Sequence, residues 1–107
     1  MRILAVDPSL RGTGFAILEQ DSGKIRCLEY SVIKNHAALS QEKCLIAIHS
    51  EITSAIQRHS PTELAVEKVI FVQSYATAIL LGAARGASVL AAAQQGLTVH
   101  ELSLIHI

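Results

Sequence analysis

The chain has 107 residues, half of them hydrophobic and 17% charged, with nine basic and nine acidic side chains and a net charge of zero. Such a composition excludes a disordered chain and a global basic field, so any nucleic-acid contact has to come from a local patch. At this length it makes one small domain at most.

No unbroken apolar run approaches the roughly 20 residues of a bilayer span, so no membrane segment is expected. Met1-Arg2 leads straight into a strand pattern without signal-peptide architecture. Cys27 and Cys44 have neither metal-ligand nor CxxC spacing, so reduced structural thiols in the cytoplasm are expected.

Ile3-Leu4-Ala5-Val6-Asp7 reads as a strand buried on both faces that ends on an acid and the turn Pro8-Ser9-Leu10-Arg11-Gly12. Asp7 thereby falls at the carboxyl end of a central strand, where open α/β sheets place their ligands. A carboxylate held there calls for compensation, usually a divalent cation. The alternative is an Asp that caps the turn through backbone N–H groups. Gly14 to Glu19 is a second strand, Gln20 to Gly23 a turn, and Lys24 to Ile33 a third strand alternating in part around Ile25, Cys27, Tyr30 and Val32. The chain thus opens with an antiparallel meander.

From Leu39 to Arg58 the spacing of Leu45, Ile48, Ile52 and Ile56 predicts one face of a helix, ended by Pro61. His49 and His59 are expected on its solvated side. Glu63-Leu64-Ala65-Val66-Glu67 is a fourth strand, again finishing on an acid, and a crossover through the helix lets it lie parallel beside the first. Asp7 and Glu67 at adjacent strand ends suit a divalent-metal site, although Glu67 could instead pair with Lys68 or an Arg. A second helix is predicted from Ser74, its N-cap, to Gln95, with Gly96 at C′. Its interior Gly82 and Gly86 are expected to pack closely on the sheet rather than to form a dimer seam. Leu97 to Glu101 is a fifth strand.

Three segments together resemble the RuvC-type Holliday junction resolvases of the RNase H-like superfamily. They are Ile3 to Pro8 with Arg11, Thr13 and Gly14; Ala65-Val66-Glu67-Lys68-Val69; and Leu81-Gly82-Ala83-Ala84-Arg85-Gly86. The resemblance implies an α/β fold: a mixed five-stranded sheet, with an antiparallel meander of strands 1–3, then parallel strands 4 and 5, and flanking helices. It also implies an endonuclease that cuts four-way DNA junctions as a homodimer, in a complex with branch-migration helicase, using two Mg2+ ions or Mn2+ in their place. On this resemblance Asp7 and Glu67 are the matching catalytic and metal-binding residues, and Arg11, Phe71, Gln73 and Arg85 are expected to contact DNA. Phe71 stands one place later than the family aromatic, where core packing is the equal alternative.

Two departures stand out. Ser9 replaces the glycine of the family's turn, which puts the tightest part of that turn in question. The family's final helix and its further pair of acids have no counterpart, since Asp occurs only at 7 and 21. The ending Leu102-Ser103-Leu104-Ile105-His106-Ile107 matches the translation of a transposon-end sequencing adapter, CTG TCT CTT ATA CAC ATC. The expectation is therefore an incomplete nuclease domain over residues 1–101 and a non-native tail over 102–107, with His106 not a ligand and the chain alone inactive. The alternatives are a YqgF-type RNA-processing nuclease, which lacks the Leu-Gly-x-Ala-Arg-Gly helix, and a non-catalytic junction-binding module. An ASKHA-type kinase half-domain is disfavoured because the nucleotide needs a second lobe.

Overall fold

The computed structural model describes residues 1–67 and 74–102. Within them lie strands β1 (Arg2–Asp7), β2 (Gly12–Asp21) and β3 (Lys24–Lys34), helix α1 (Gln41–His59), β4 (Glu63–Glu67), helix α2 (Tyr75–Gln94) and β5 (Thr98–Leu102). The sheet order is β3-β2-β1-β4-β5, with β1–β2 and β2–β3 antiparallel and β1–β4 and β4–β5 parallel. The predicted meander and parallel extension are both present, with element ends displaced by one or two residues.

One face of the sheet is the core face. Leu4, Val6, Phe15, Ile17, Ile33, Leu64 and Val66 point into it and are buried under Ile48, Ile52, Ala55 and Ile56 of α1 and Ala84, Ala91 and Ala92 of α2. Among the described residues the opposite face is open. The expectation that β1 is buried on both faces is thus corrected: Leu4 and Val6 are buried, but Ile3 and Ala5 between them are only partly covered. Successive residues of a strand point to opposite faces, and only one face is roofed by helices.

The irregular apolar pattern of β3 has a structural cause. Its register against β2 slips at Ile17/Leu18, where Ile17 lies opposite Glu29 and Leu18 opposite Cys27. Leu28 is the extra residue of a β-bulge, and a bulge shifts the alternation by one. Ile25, Cys27, Tyr30 and Val32 consequently share the open face, while Leu28 packs against the core.

Helix α1 begins at Ser40, whose hydroxyl accepts the Lys43 N–H, and ends at Ser60, which takes the left-handed conformation at φ 51° while its N–H donates to the Ile56 carbonyl. The two histidines, expected on the solvated side, are half-covered and bonded, His49 through an exposed hydrogen bond and His59 through a part-buried one. His59 is partly buried and bonds Glu29 on β3, and His49 bonds Gln94 on α2. Each ties α1 to a neighbouring element, which helical periodicity alone does not reveal.

Helix α2 is capped as predicted, by Ser74 at its start and by Gly96 at φ 82° after its end. Its 20 residues include a stretch with mean hydropathy 1.5, enough by length and composition to cross a bilayer, which corrects the reading based on unbroken apolar runs. Its inner side packs on α1 and the core, yet only 22% of that stretch is buried. Gly82 and Gly86 are on the outer side, where a Cβ would meet nothing within 4 Å beyond the helix itself among the described residues. The expected packing of these glycines on the sheet is therefore overturned. They form an exposed stripe with Tyr75, Ile79 and Leu90, at the three- and four-residue spacing of one helix face. Gly82→Ala and Gly86→Ala should each stabilise the isolated fold by about 1 kcal/mol through helix propensity. Thermal melting at low protein concentration should show the midpoint rising.

The lower end of α1 is bonded to β3. Arg58 donates from Nε and Nη2 to the Glu29 carboxylate, and His59 shares the same group. These bonds, Arg58 foremost, hold Glu29 below the usual glutamate value of 4.5. A depressed carboxylate contributes stability above that value, and the contribution is lost as pH falls through the folded-state pKa. Glu29→Gln should therefore flatten the acid limb of the melting-temperature profile below about pH 4.5.

Candidate active site

The site begins with the pairing of β1 and β4. Val6 lies opposite Val66 in parallel register, so the next residues of the two strands, Asp7 and Glu67, are neighbours at the same end of the sheet. Both leave the core face, because Val6 and Val66 occupy it, and both are exposed. Neighbouring strands run roughly 4.8 Å apart, which brings the carboxylates within reach of a shared ion. They line an open cleft of about 360 Å³ together with Ala5, Gly14, Ala16, Tyr30, Ala65 and Leu102.

The floor of the cleft follows from the sheet register. The outermost row reads Val32, Gly14, Asp7, Glu67, Leu102, and the row behind it Tyr30, Ala16, Ala5, Ala65, His100. Three alanines in the second row leave a shallow trough behind the acids. Gly14, directly opposite Asp7, keeps that flank clear, since a Cβ there would stand 4.0 Å from the Asp7 Cβ. Tyr30, 70% exposed, forms one wall. Tyr30 and the alanine row are parts of the cleft that motif reading missed. The signal for Tyr30 was its place in the bulged face of β3.

The turn after Asp7 is firmly built. Pro8 and Leu10 are buried, and the fully buried Thr13 accepts the Ser9 N–H at 3.1 Å and donates its hydroxyl to the Ser9 carbonyl. Ser9 does this without a positive φ, so the turn does not need the glycine that the family pattern carries.

Arg11 reaches across to the segment before α1, donating from Nη1 to the carbonyls of His36 (2.8 Å) and Leu39 (3.1 Å) and to Cys44 Sγ. Arg85, on α2, is ion-paired with Glu101 on β5 at 2.5 Å. Both arginines expected on DNA are thus engaged within the chain. Phe71 and Gln73 lie outside the described residues, as does Lys68, the sequence neighbour considered as a partner for Glu67.

The donor set fits a hard divalent cation. Two carboxylates face one cleft, no described cation pairs with either, and oxygen ligands are what Mg2+ and Mn2+ take. Among the described residues no third His, Cys, Asp or Glu joins them, so water and phosphate oxygens would complete the coordination.

A mixed sheet in this order, roofed on one face by helices and bearing acids at the ends of its central parallel strands, defines an RNase H-like fold. Residues 3–107 match the family model of the crossover junction endodeoxyribonuclease RuvC, and the chain belongs to that family. The RuvC of Akkermansia muciniphila is 46% identical over 103 residues, covering 96% of this chain and 62% of that protein. The RuvC of Myxococcus xanthus is 40% identical over 101 residues, covering 94% of this chain and 53% of its own length. The chain therefore spans only about half to two thirds of such relatives. In structure it is similar to T. thermophilus RuvC in complex with Holliday junction substrate (TM-score 0.91, 24% identity, 97% of this chain and 66% of that one). The yeast mitochondrial Holliday junction resolvase Ydc2 is more distant (TM-score 0.64, 12% identity, 96% and 53%). At these identities the likeness speaks of fold.

If Asp7 and Glu67 share an ion, Mn2+ titrated into the chain should broaden the NMR signals of residues flanking both, together with those of Gly14 and Ala65. Asp7→Asn should remove most of that selective broadening.

Proposed function

We propose that the chain carries the nuclease core of a structure-selective DNA endonuclease that resolves Holliday junctions in recombination and repair, working in the cytoplasm with its thiols reduced. The observation that carries this reading is the pairing of Asp7 and Glu67 on one open cleft, at the ends of adjacent parallel strands, in a chain of the RuvC family.

Asp7 and Glu67 would hold Mg2+, or Mn2+ in its place, two ions in the complete site. Bound ions there supply Lewis-acid activation of water and stabilisation of the leaving 3′-oxygen. The chain's own contribution is geometric. The β1–β4 register sets the spacing of the two carboxylates, and Gly14 and the alanine row give a phosphodiester room to approach them. Remaining guanidinium donors of Arg11 and Arg85, with Phe71 and Gln73, would hold the DNA.

The partners are a four-way junction, a second copy of the chain and a branch-migration helicase complex. The stripe of Tyr75, Ile79, Gly82, Gly86 and Leu90 on α2 supports the second copy, since two such faces can approach closely across their glycines. Alanine at 82 or 86 would then weaken self-association at high concentration even as it stabilises the monomer.

The test joins residues 1–101 to the part of the Akkermansia relative that lies beyond the match. With Mg2+ this hybrid should cut four-way junctions symmetrically, and Asp7→Asn and Glu67→Gln should each lower cleavage at least about a hundredfold, as loss of a metal-activating group does. The 107-residue chain alone should not cut. A folded hybrid that binds junctions but leaves them intact, or that prefers RNA, would overturn the proposal, the latter result favouring a YqgF-type activity.

A further inference from the structure

We infer that Thr13, backed by Asn35, is a positioning residue for Asp7. The inference rests on the reading of Asp7 and Glu67 as a metal-binding pair. Neither Thr13 nor Asn35 lines the cleft, and neither has an oxygen available to a cation there.

Thr13 is fully buried on the core face, one residue before Gly14, which pairs with Asp7. Buried hydroxyls cost free energy unless bonded, and this one is bonded twice to a single residue. It accepts from the Ser9 N–H and donates to the Ser9 carbonyl, so the peptide groups on both sides of Ser9 are held. Ser9 is two residues from Asp7, with the buried Pro8 between them, whose ring fixes one more dihedral. The backbone that aims the Asp7 carboxylate is therefore pinned from beneath.

Asn35 pins the same turn from its outer side. Its Nδ2 donates to the Leu10 carbonyl at 2.8 Å, and its backbone N–H donates to the Arg11 carbonyl at 3.1 Å. Arg11 completes the brace through the His36 and Leu39 carbonyls. Every one of these bonds is to backbone, an arrangement that sets the course of the chain. Asp7 and Glu67 are each paired on one side only, Asp7 to Gly14 of β2 and Glu67 to Leu102 of β5, and Asp7 is followed at once by a turn. A site that needs its ligands placed within about 0.5 Å depends on that turn being rigid.

The experiment measures Mn2+ affinity of the 107-residue chain by the EPR signal of free Mn2+, alongside thermal melting. Thr13→Val keeps the shape and removes the hydroxyl; it should weaken Mn2+ binding about tenfold, at the low end of what loss of a supporting hydrogen bond costs a metal site. Thr13→Ser should restore affinity to within about twofold of the parent. A purely structural role predicts a lower melting temperature with Mn2+ affinity unchanged well below it, and that result would overturn the inference. If Thr13→Val does not give a folded spectrum, Asn35→Ala carries the test with the same outcomes. Asp7→Asn serves as the control. Loss of saturable binding in Asp7→Asn with none in Thr13→Val rejects the positioning role alone, whereas Mn2+ binding indifferent to Asp7→Asn rejects the metal-pair reading and the positioning role with it.

Discussion

The parallel register of β1 against β4 is the constraint on which the rest depends. It sets Val6 beside Val66 and Leu4 beside Leu64 on the core face, and all four side chains are buried under the helices. Burial of such side chains is worth roughly 1.5–3 kcal/mol each. The same register forces two carboxylates side by side at the strand ends. Their repulsion, in an open and water-filled cleft, is about 1 kcal/mol at 4 Å. Burial wins by a wide margin, so the core imposes the acid pair and no local preference of Asp7 or Glu67 is needed. A slip of one residue in either strand would send its aliphatic residues to the open face and its acid to the core. Folding and site formation are thus the same event.

Helix α2 shows how one element serves two environments. Its inner positions are alanine and serine, with Ser88 bonding back to the Ala84 carbonyl, and they let the helix lie close to α1 and the sheet. Its outer positions combine glycine with Tyr75, Ile79 and Leu90. Interior glycines weaken a helix, and among the described residues no neighbour packs against Gly82 or Gly86 to account for them. That combination of glycines and a bare apolar stripe on one face is what supports the proposed second copy. Arg85 sits between the two faces and is drawn to β5 by Glu101, which steadies the helix against the far edge of the sheet.

The architecture was legible because its signals are redundant: the first four strands each end at an acid or lead into a loop, and both helices carry caps. The acid pair was legible for the same reason, since Asp7 and Glu67 each close an apolar run. What escaped was set by pairing between distant segments. The bulge at Leu28 converts the broken alternation of Ile25, Cys27, Tyr30 and Val32 into a single open face, and only the partner strand defines it. Ser9 fits a turn expected to require glycine because Thr13 lies beneath it, four residues along the chain but across the hairpin. His49 and His59 were expected on the solvated side of α1 and Arg11 and Arg85 on DNA, and all four have partners elsewhere in the chain. Gly82 and Gly86 were assigned to the wrong side of α2, as a pattern of small residues on an alanine-rich helix does not say which face looks inward.

Glu19 is bound by Arg2 and Arg26, Glu29 by Arg58, Glu101 by Arg85, and Glu63 by His100. These pairs consume much of the basic complement of a chain whose net charge is zero. Asp7 and Glu67, without such partners among the described residues, make the cleft locally negative. A phosphodiester brought to that cleft meets repulsion from both acids. On the nuclease reading proposed above, cations held by the carboxylates would reverse the sign of the local field and let a phosphodiester approach. Arg2, Arg26, Arg58 and Arg85 hold strands and helices together, whereas the cleft of Asp7 and Glu67 has no such partner among the described residues.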